Sequence, residues 1–199
     1  MLLHLAFALN LILVCCEIVT LGHLKRKLDI LRYYTYLQNF LVLCTSALFC
    51  VGFFCFDVMP EWVRGLQYIT TCGALAAMFI FVTVLGAGKK AAITEDDFIH
   101  NFSPTVANLL LHYICPAIAC VALVFAERDI VMTDGIWTAL SAAPSGVYWI
   151  YYGILSATHA WDDPYQFSSS GKTTLKDMVI GFGIPASFIV ISFALWNIL

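Results

Sequence analysis

Val106-Ala107-Asn108-Leu109-Leu110-Leu111-His112-Tyr113-Ile114-Cys115-Pro116-Ala117-Ile118-Ala119-Cys120-Val121-Ala122-Leu123-Val124-Phe125 is the stretch that decides the fold. Roughly 20 mostly apolar residues form a helix long enough to cross the hydrocarbon core of a bilayer, and this run has that length. One ionisable side chain, His112, sits in its middle. An imidazole at such depth is costly, so it is expected to face other helices rather than lipid and to have a task there.

Outward from this run, the rest of the chain repeats the pattern. Its 199 residues are 61% hydrophobic and 12% charged, with a mean hydropathy of +0.87. Such values exclude an ordinary soluble domain. The net charge is -3 and the basic residues form no broad patch, so nucleic acid is not an expected partner. Apolar runs cover residues 2–22, 33–58, 66–86, 106–126, 135–157 and 178–199. They predict an all-α, polytopic bundle of six transmembrane helices, a single domain over residues 1–199. The two halves show no self-similarity, which weighs against an inverted-repeat transporter. Phosphate loops, Gly-x-Ser-x-Gly elbows and dinucleotide fingerprints are all missing from the sequence, and no cofactor is expected.

Charge placement sets an orientation. The first run has no basic residues before it, and Lys25-Arg26-Lys27 follow it; it reads as a retained helix, not a cleaved signal. Connections one, three and five carry Lys25, Arg26, Lys27, Arg32, Lys89, Lys90, Lys172 and Lys176, against Arg64 and Arg128 in connections two and four. The positive-inside rule then places the odd connections in the cytoplasm and both termini outside, in a cytoplasmic or plasma membrane.

Cys15, Cys16, Cys44, Cys50, Cys55, Cys72, Cys115 and Cys120 all fall in apolar runs. They read as small core hydrophobes, not a disulfide framework. Asp96, Asp97 and His100 share one connection, and His159, Asp162 and Asp163 another. Their spacing matches no strong ligand signature, so solvated loop faces are expected and no metal site is assigned. Gly73 and Ala77 form a small-xxx-small pair suited to close helix packing, and Tyr148, Trp149, Tyr151 and Tyr152 read as an interfacial aromatic belt.

Polar residues inside the runs are the candidates for function. Thr35 and Asn39 are four apart and share a helix face, with Gln38 beside them; Asn108 and His112 share a face by the same spacing. Pro116 lacks an N–H, so the His112 carbonyl is expected to lose its usual helix partner. Both helices start on the same side, and Thr35 and His112 differ in depth by roughly 6 Å at 1.5 Å per residue. Helix tilt removes such a gap, so the two side chains are expected to meet. Glu17 lies at similar depth; its carboxylate, or Asn108 or Asn39, would fix the imidazole tautomer. Each has a bland alternative. A Thr near a helix start bonds a backbone carbonyl, and a Glu near a helix end reaches the headgroups.

Tyr34-Thr35-Tyr36-Leu37-Gln38-Asn39, followed by Asn108-Leu109-Leu110-Leu111-His112-Tyr113-Ile114-Cys115-Pro116, resembles the androgen-induced-gene-one superfamily. The chain is most similar to that family's small bacterial relatives, described as predicted integral membrane proteins. Trp137 to Tyr148 with Pro144 between, and Asp163-Pro164-Tyr165-Gln166-Phe167, resemble later patches of the bacterial group. The resemblance runs from about Tyr33 to Phe167, and six helices fit it. Animal members are multi-pass threonine hydrolases that cleave esters of hydroxy fatty acids. The resemblance implies Thr35 in the nucleophile position and His112 in the base position. The His-x-x-x-Pro spacing fits the bacterial pattern better than the animal one.

The chemistry this predicts is hydrolysis or acyl transfer on a membrane lipid or fatty-acid ester. A Thr hydroxyl is a weak nucleophile and needs a base to take its proton; His112 would do so, then protonate the leaving alcohol. Asn39, Gln38 or a tyrosine would steady the oxyanion. Two other classes remain open: a small-molecule or proton transporter with His112 and Glu17 on its path, and a structural bundle whose polar groups merely join helices.

Overall fold

The computed structural model of the protein describes residues 1–26, 29–82, 98, 102–127, 135–158 and 189–199. Regular structure among them is helical: α1 (Leu2–Gly22), α2 (Asp29–Arg32), α3 (Tyr34–Cys55), α4 (Glu61–Ile80), α5 (Pro104–Leu109), a π-helical turn (Leu110–Ile114), α6 (Cys115–Glu127), α7 (Ile136–Leu140) and α8 (Ala143–Ala157), with α9 at Ile189–Ile198. No strand occurs among the described residues; a lone backbone bridge pairs Leu24 with Phe98.

Four helices are long and apolar enough to cross a membrane: α1, α3, α4 and the continuous α5–α6 rod, Pro104–Glu127. The fifth apolar run is not one helix. It divides into α7 and α8 around Ser141 and Ala142, where the Ser141 hydroxyl donates to the Thr138 carbonyl at 2.7 Å. Pro144, in the first turn of α8, is tolerated there but could not continue a helix from α7. Of the sixth run only α9 and Leu199 are described.

α1 packs on α3 and α6, and α4 packs on α3 and α6, which closes a ring of four antiparallel helices, an up-down-up-down bundle. On its other side α4 meets the later helices. Ala76, Ala77 and Ile80 pack with Tyr34, Tyr148 and Tyr152, while Tyr68 and Cys72 pack with Leu195, Trp137 and Trp196. Tyr148 and Tyr152 are therefore interior residues; of the expected belt, Tyr151 alone among the tyrosines faces outward.

The ring is apolar outside and partly polar inside. On α1, Leu5, Leu11, Ile12, Ile18 and Val19 are exposed, whereas Asn10, Glu17 and Thr20 are buried. That is the inverse of a water-soluble helix, and an apolar surface of this extent suits a lipid surround. Ala6, Asn10, Leu13, Glu17 and Thr20, five of the six buried residues of α1, advance by alternating fours and threes, and Leu21 adjoins the last. Gln38, Val42, Thr45, Phe49 and Gly52 of α3 do the same. This is a coiled-coil seam, a narrow stripe facing the partner helix.

The seams set a register. Ala6, Phe49, Val63 and Ala126 share one apolar cluster, and Leu13, Val42, Ala74, Cys115 and Ala119 share the next. Between them lies a polar level of Asn10, Thr45, Gln67 and Thr70. One step further, the same register sets Glu17 of α1 opposite Gln38 of α3, before the third apolar cluster of Leu21, Tyr36, Ala107 and Leu111.

Candidate functional site

His112 is buried in the π-helical turn, whose origin is legible in the backbone. The Cys115 N–H donates to the Leu110 carbonyl, five residues back, not to Leu111 as in an α-helix. The next residue, Pro116, has no N–H to give Leu111 in the π register. Leu111 thus loses both helical donors, and Asn39 of α3 replaces them: its Nδ2 donates to the Leu111 carbonyl at 3.1 Å. The carbonyl rescued by a side chain is one residue before the expected His112, because the π-turn shifts the register by one.

The imidazole is held on two sides. Its Nδ1 lies 3.2 Å from the Asn108 carbonyl. A carbonyl only accepts, so Nδ1 carries the proton, and in the neutral ring Nε2 presents its lone pair. Phe81, just past α4, stacks on the ring with centroids 3.7 Å apart. Tautomer selection therefore falls to the Asn108 backbone, not to the expected side chains. Asn108 Oδ1 has no protein partner.

The two sequence patches do converge. Asn39 Nδ2 donates also to the Thr35 carbonyl at 2.8 Å, so one amide group ties the start of α3 to the peptide preceding His112. The hydroxyl of Thr35, half-buried in the first turn of α3, forms no hydrogen bond with His112. Glu17 is fully buried; its carboxyl group meets the Cys115 thiol, and no N–H or O–H group among the described residues bonds it. Its neighbours are the Cys16 and Cys115 thiols, which places it about one turn from His112. Gln38 is equally buried and equally unpartnered. Its amide occupies the space beside Gly73, where an added Cβ would fall 2.0 Å from Oε1. Gly73 is thus needed for an interior amide, and Ala77 packs against the aromatic cluster of Tyr34 and Tyr148.

The other half of the ring holds polar residues that composition and spacing did not single out. Arg64, counted above as a loop charge, lies inside α4 and makes a buried ion pair with Glu127 at 2.7 Å. Gln67 Nε2 donates to Asn10 Oδ1 at 2.7 Å, Asn10 Nδ2 donates to the Ala6 carbonyl at 2.9 Å, and the Thr45 and Thr70 hydroxyls lie 2.8 Å apart. The signal was present as polar residues at seam spacing. Their partners lie far away in sequence, and nothing local names them.

All eight cysteines are free thiols. Among the described residues no group of three His, Cys, Asp or Glu side chains is placed to hold a metal ion. Asp96, Asp97, His100, His159, Asp162 and Asp163 lie outside the described residues, as does the patch Asp163 to Phe167. No family model matches the chain, and no curated protein or solved structure matches it significantly.

Proposed function

We propose that this chain is a six-span integral membrane protein, both termini outside, that hydrolyses or transacylates a membrane lipid or fatty-acid ester. Thr35 is its nucleophile and His112 its base. The observation that carries this reading is the Asn39 bridge, which brings the Thr35 and His112 segments together while the Asn108 carbonyl leaves Nε2 of the neutral ring as a proton acceptor. Attack requires the Thr35 hydroxyl to come within about 3 Å of Nε2, a tightening common between unliganded and substrate-bound sites. Asn39 Oδ1 and both polar atoms of Gln38, buried with no partner among the described residues, lie within about one helical turn of the nucleophile in sequence. The Gln38 amide N–H is suited to the developing oxyanion.

A fluorophosphonate probe tests this. The wild-type chain in mild detergent is expected to be labelled, and Thr35→Ala and His112→Ala each to lose labelling while keeping the wild-type elution profile. Full labelling of a well-folded Thr35→Ala variant rejects the nucleophile, and full labelling of His112→Ala rejects the base.

One observation favours a second reading. Buried polar levels recur along the ring, from Arg64–Glu127 through Asn10–Gln67 to Glu17 and His112, as a transport path would need. Flux in proteoliposomes that is lost in His112→Ala, without any probe labelling, would favour it.

A further inference from the structure

Among the described residues no basic side chain pairs with Glu17. Arg64, the buried cation of the described helices, is 2.7 Å from Glu127 at the opposite end, and His112 is engaged by the Asn108 carbonyl and Phe81. A carboxyl group in the interior of a bundle is expensive unless something satisfies it. Hydrophobic packing would have favoured Leu at this seam position, as at Leu13 one step earlier.

The unpartnered polar atoms at the same level of the ring define what would satisfy it. Asn39 Nδ2 is spent on two carbonyls, so its Oδ1 is turned to accept and has no protein donor. Gln38, opposite Glu17 in the α1–α3 register, brings a further buried carbonyl oxygen without a donor. Gly73 keeps open the space that its amide fills. Two carboxyl oxygens and two amide oxygens thus stand against one unused amide donor, Gln38 Nε2, and the weakly donating Cys115 thiol. A set rich in oxygen acceptors suits a hard cation. One formal negative charge matches one positive charge; a divalent ion would leave excess charge in low dielectric.

We propose that Glu17, Gln38 and Asn39 form a binding site for a monovalent alkali cation in the middle of the four-helix ring. The site shares Gln38 and Asn39 with the proposed ester chemistry but needs neither Thr35 nor His112. Its test reads thermal stability, which stands whether or not the probe labels the chain. The full chain in detergent micelles is unfolded thermally at constant ionic strength, with sodium chloride replacing choline chloride, and tryptophan fluorescence reports the midpoint. Sodium should raise the wild-type midpoint saturably, because an ion that binds only the folded state stabilises it. Glu17→Gln, close in shape and uncharged, should show no sodium-dependent rise. Gln38→Leu should shift half-saturation to about tenfold higher sodium, the loss of one ligand of a few. A wild-type midpoint identical in the two salts overturns the site. A folded Glu17→Gln variant with the wild-type sodium response overturns the role of the carboxylate.

Discussion

The two halves of the four-helix ring treat buried polarity in opposite ways. At the Arg64 end, each polar side chain has a partner across helices, Arg64 with Glu127, Gln67 with Asn10, Thr45 with Thr70, although single atoms such as Gln67 Oε1 stay unbonded. At the His112 end, Glu17 and Gln38 face the interior with no N–H or O–H partner among the described residues, Glu17 meeting only the Cys115 thiol. Both sets occupy the same seam, so burial alone does not separate them. The difference lies in pairing. Matched groups fix which helices sit together and in what register, since a slipped register would strand every one of them. Unmatched groups weaken the fold and are useful only to something that comes to them.

The sharpest way to break this contrast is to remove one carboxyl from each half. Glu127→Ala leaves the Arg64 guanidinium buried without its carboxylate and is expected to cost about 3–5 kcal/mol, the usual loss on breaking a buried ion pair. Glu17→Gln replaces a buried carboxyl group that no basic side chain of the described helices pairs with, so in choline chloride its stability should equal or exceed that of wild type. Chemical denaturation in one detergent measures both. Equal destabilisation by the two variants would erase the distinction between the halves.

Spans were legible in the sequence where lipid contact dictates them. The first apolar run coincides with α1, Leu2–Gly22, and the fourth with Pro104–Glu127 to within two residues at either end, because uninterrupted apolarity is a physical requirement of the lipid-facing surface. Error entered wherever an inward-facing partner decides the outcome. α4 begins at Glu61, five residues before its run, since Arg64 is acceptable in a helix once Glu127 is beside it. The fifth run stays apolar on average across its break, and hydropathy alone is blind to the turn at Ser141 and Ala142. Tyr148 and Tyr152 carry the composition of an interfacial belt but serve as core. For the site, His112, Asn39 and Pro116 were each visible as unusual residues. Their connection through the Leu111 carbonyl was not, because it depends on a π-turn that no residue type announces.

Packing against α4 supplies the next test. An added Cβ at Gly65 would fall 2.3 Å from the Trp137 ring, an indole that also donates to Glu61 Oε1 at 3.2 Å. A rigid ring cannot bend aside as a flexible chain end can. Gly65→Ala should therefore cost roughly 1–3 kcal/mol, the usual range for overpacking, and should change the tryptophan emission of the folded state. Gly73→Ala meets the mobile end of Gln38 instead, and should cost less while lowering sodium affinity. A larger loss at Gly73 than at Gly65 would mean that the Gln38 amide is as tightly held as the matched pairs.

The smallest expected effect sharpens the comparison most directly. Asn10 and Gln67 are joined by one side-chain hydrogen bond, and such bonds between membrane helices average about 0.6 kcal/mol in double-mutant cycles. Asn10→Leu and Gln67→Leu each leave the other amide buried and partly unsatisfied, a penalty larger than the net value of the bond. The double variant removes both groups and should recover part of the summed loss, giving a coupling of roughly 0.5–1 kcal/mol. Glu17→Leu with Gln38→Leu should show little coupling in choline chloride, because those side chains share no bond, and a clear coupling in sodium, where they would share an ion. Strong coupling of Glu17 and Gln38 without sodium would mean that they already satisfy each other, and the contrast between the two halves of the ring would be lost.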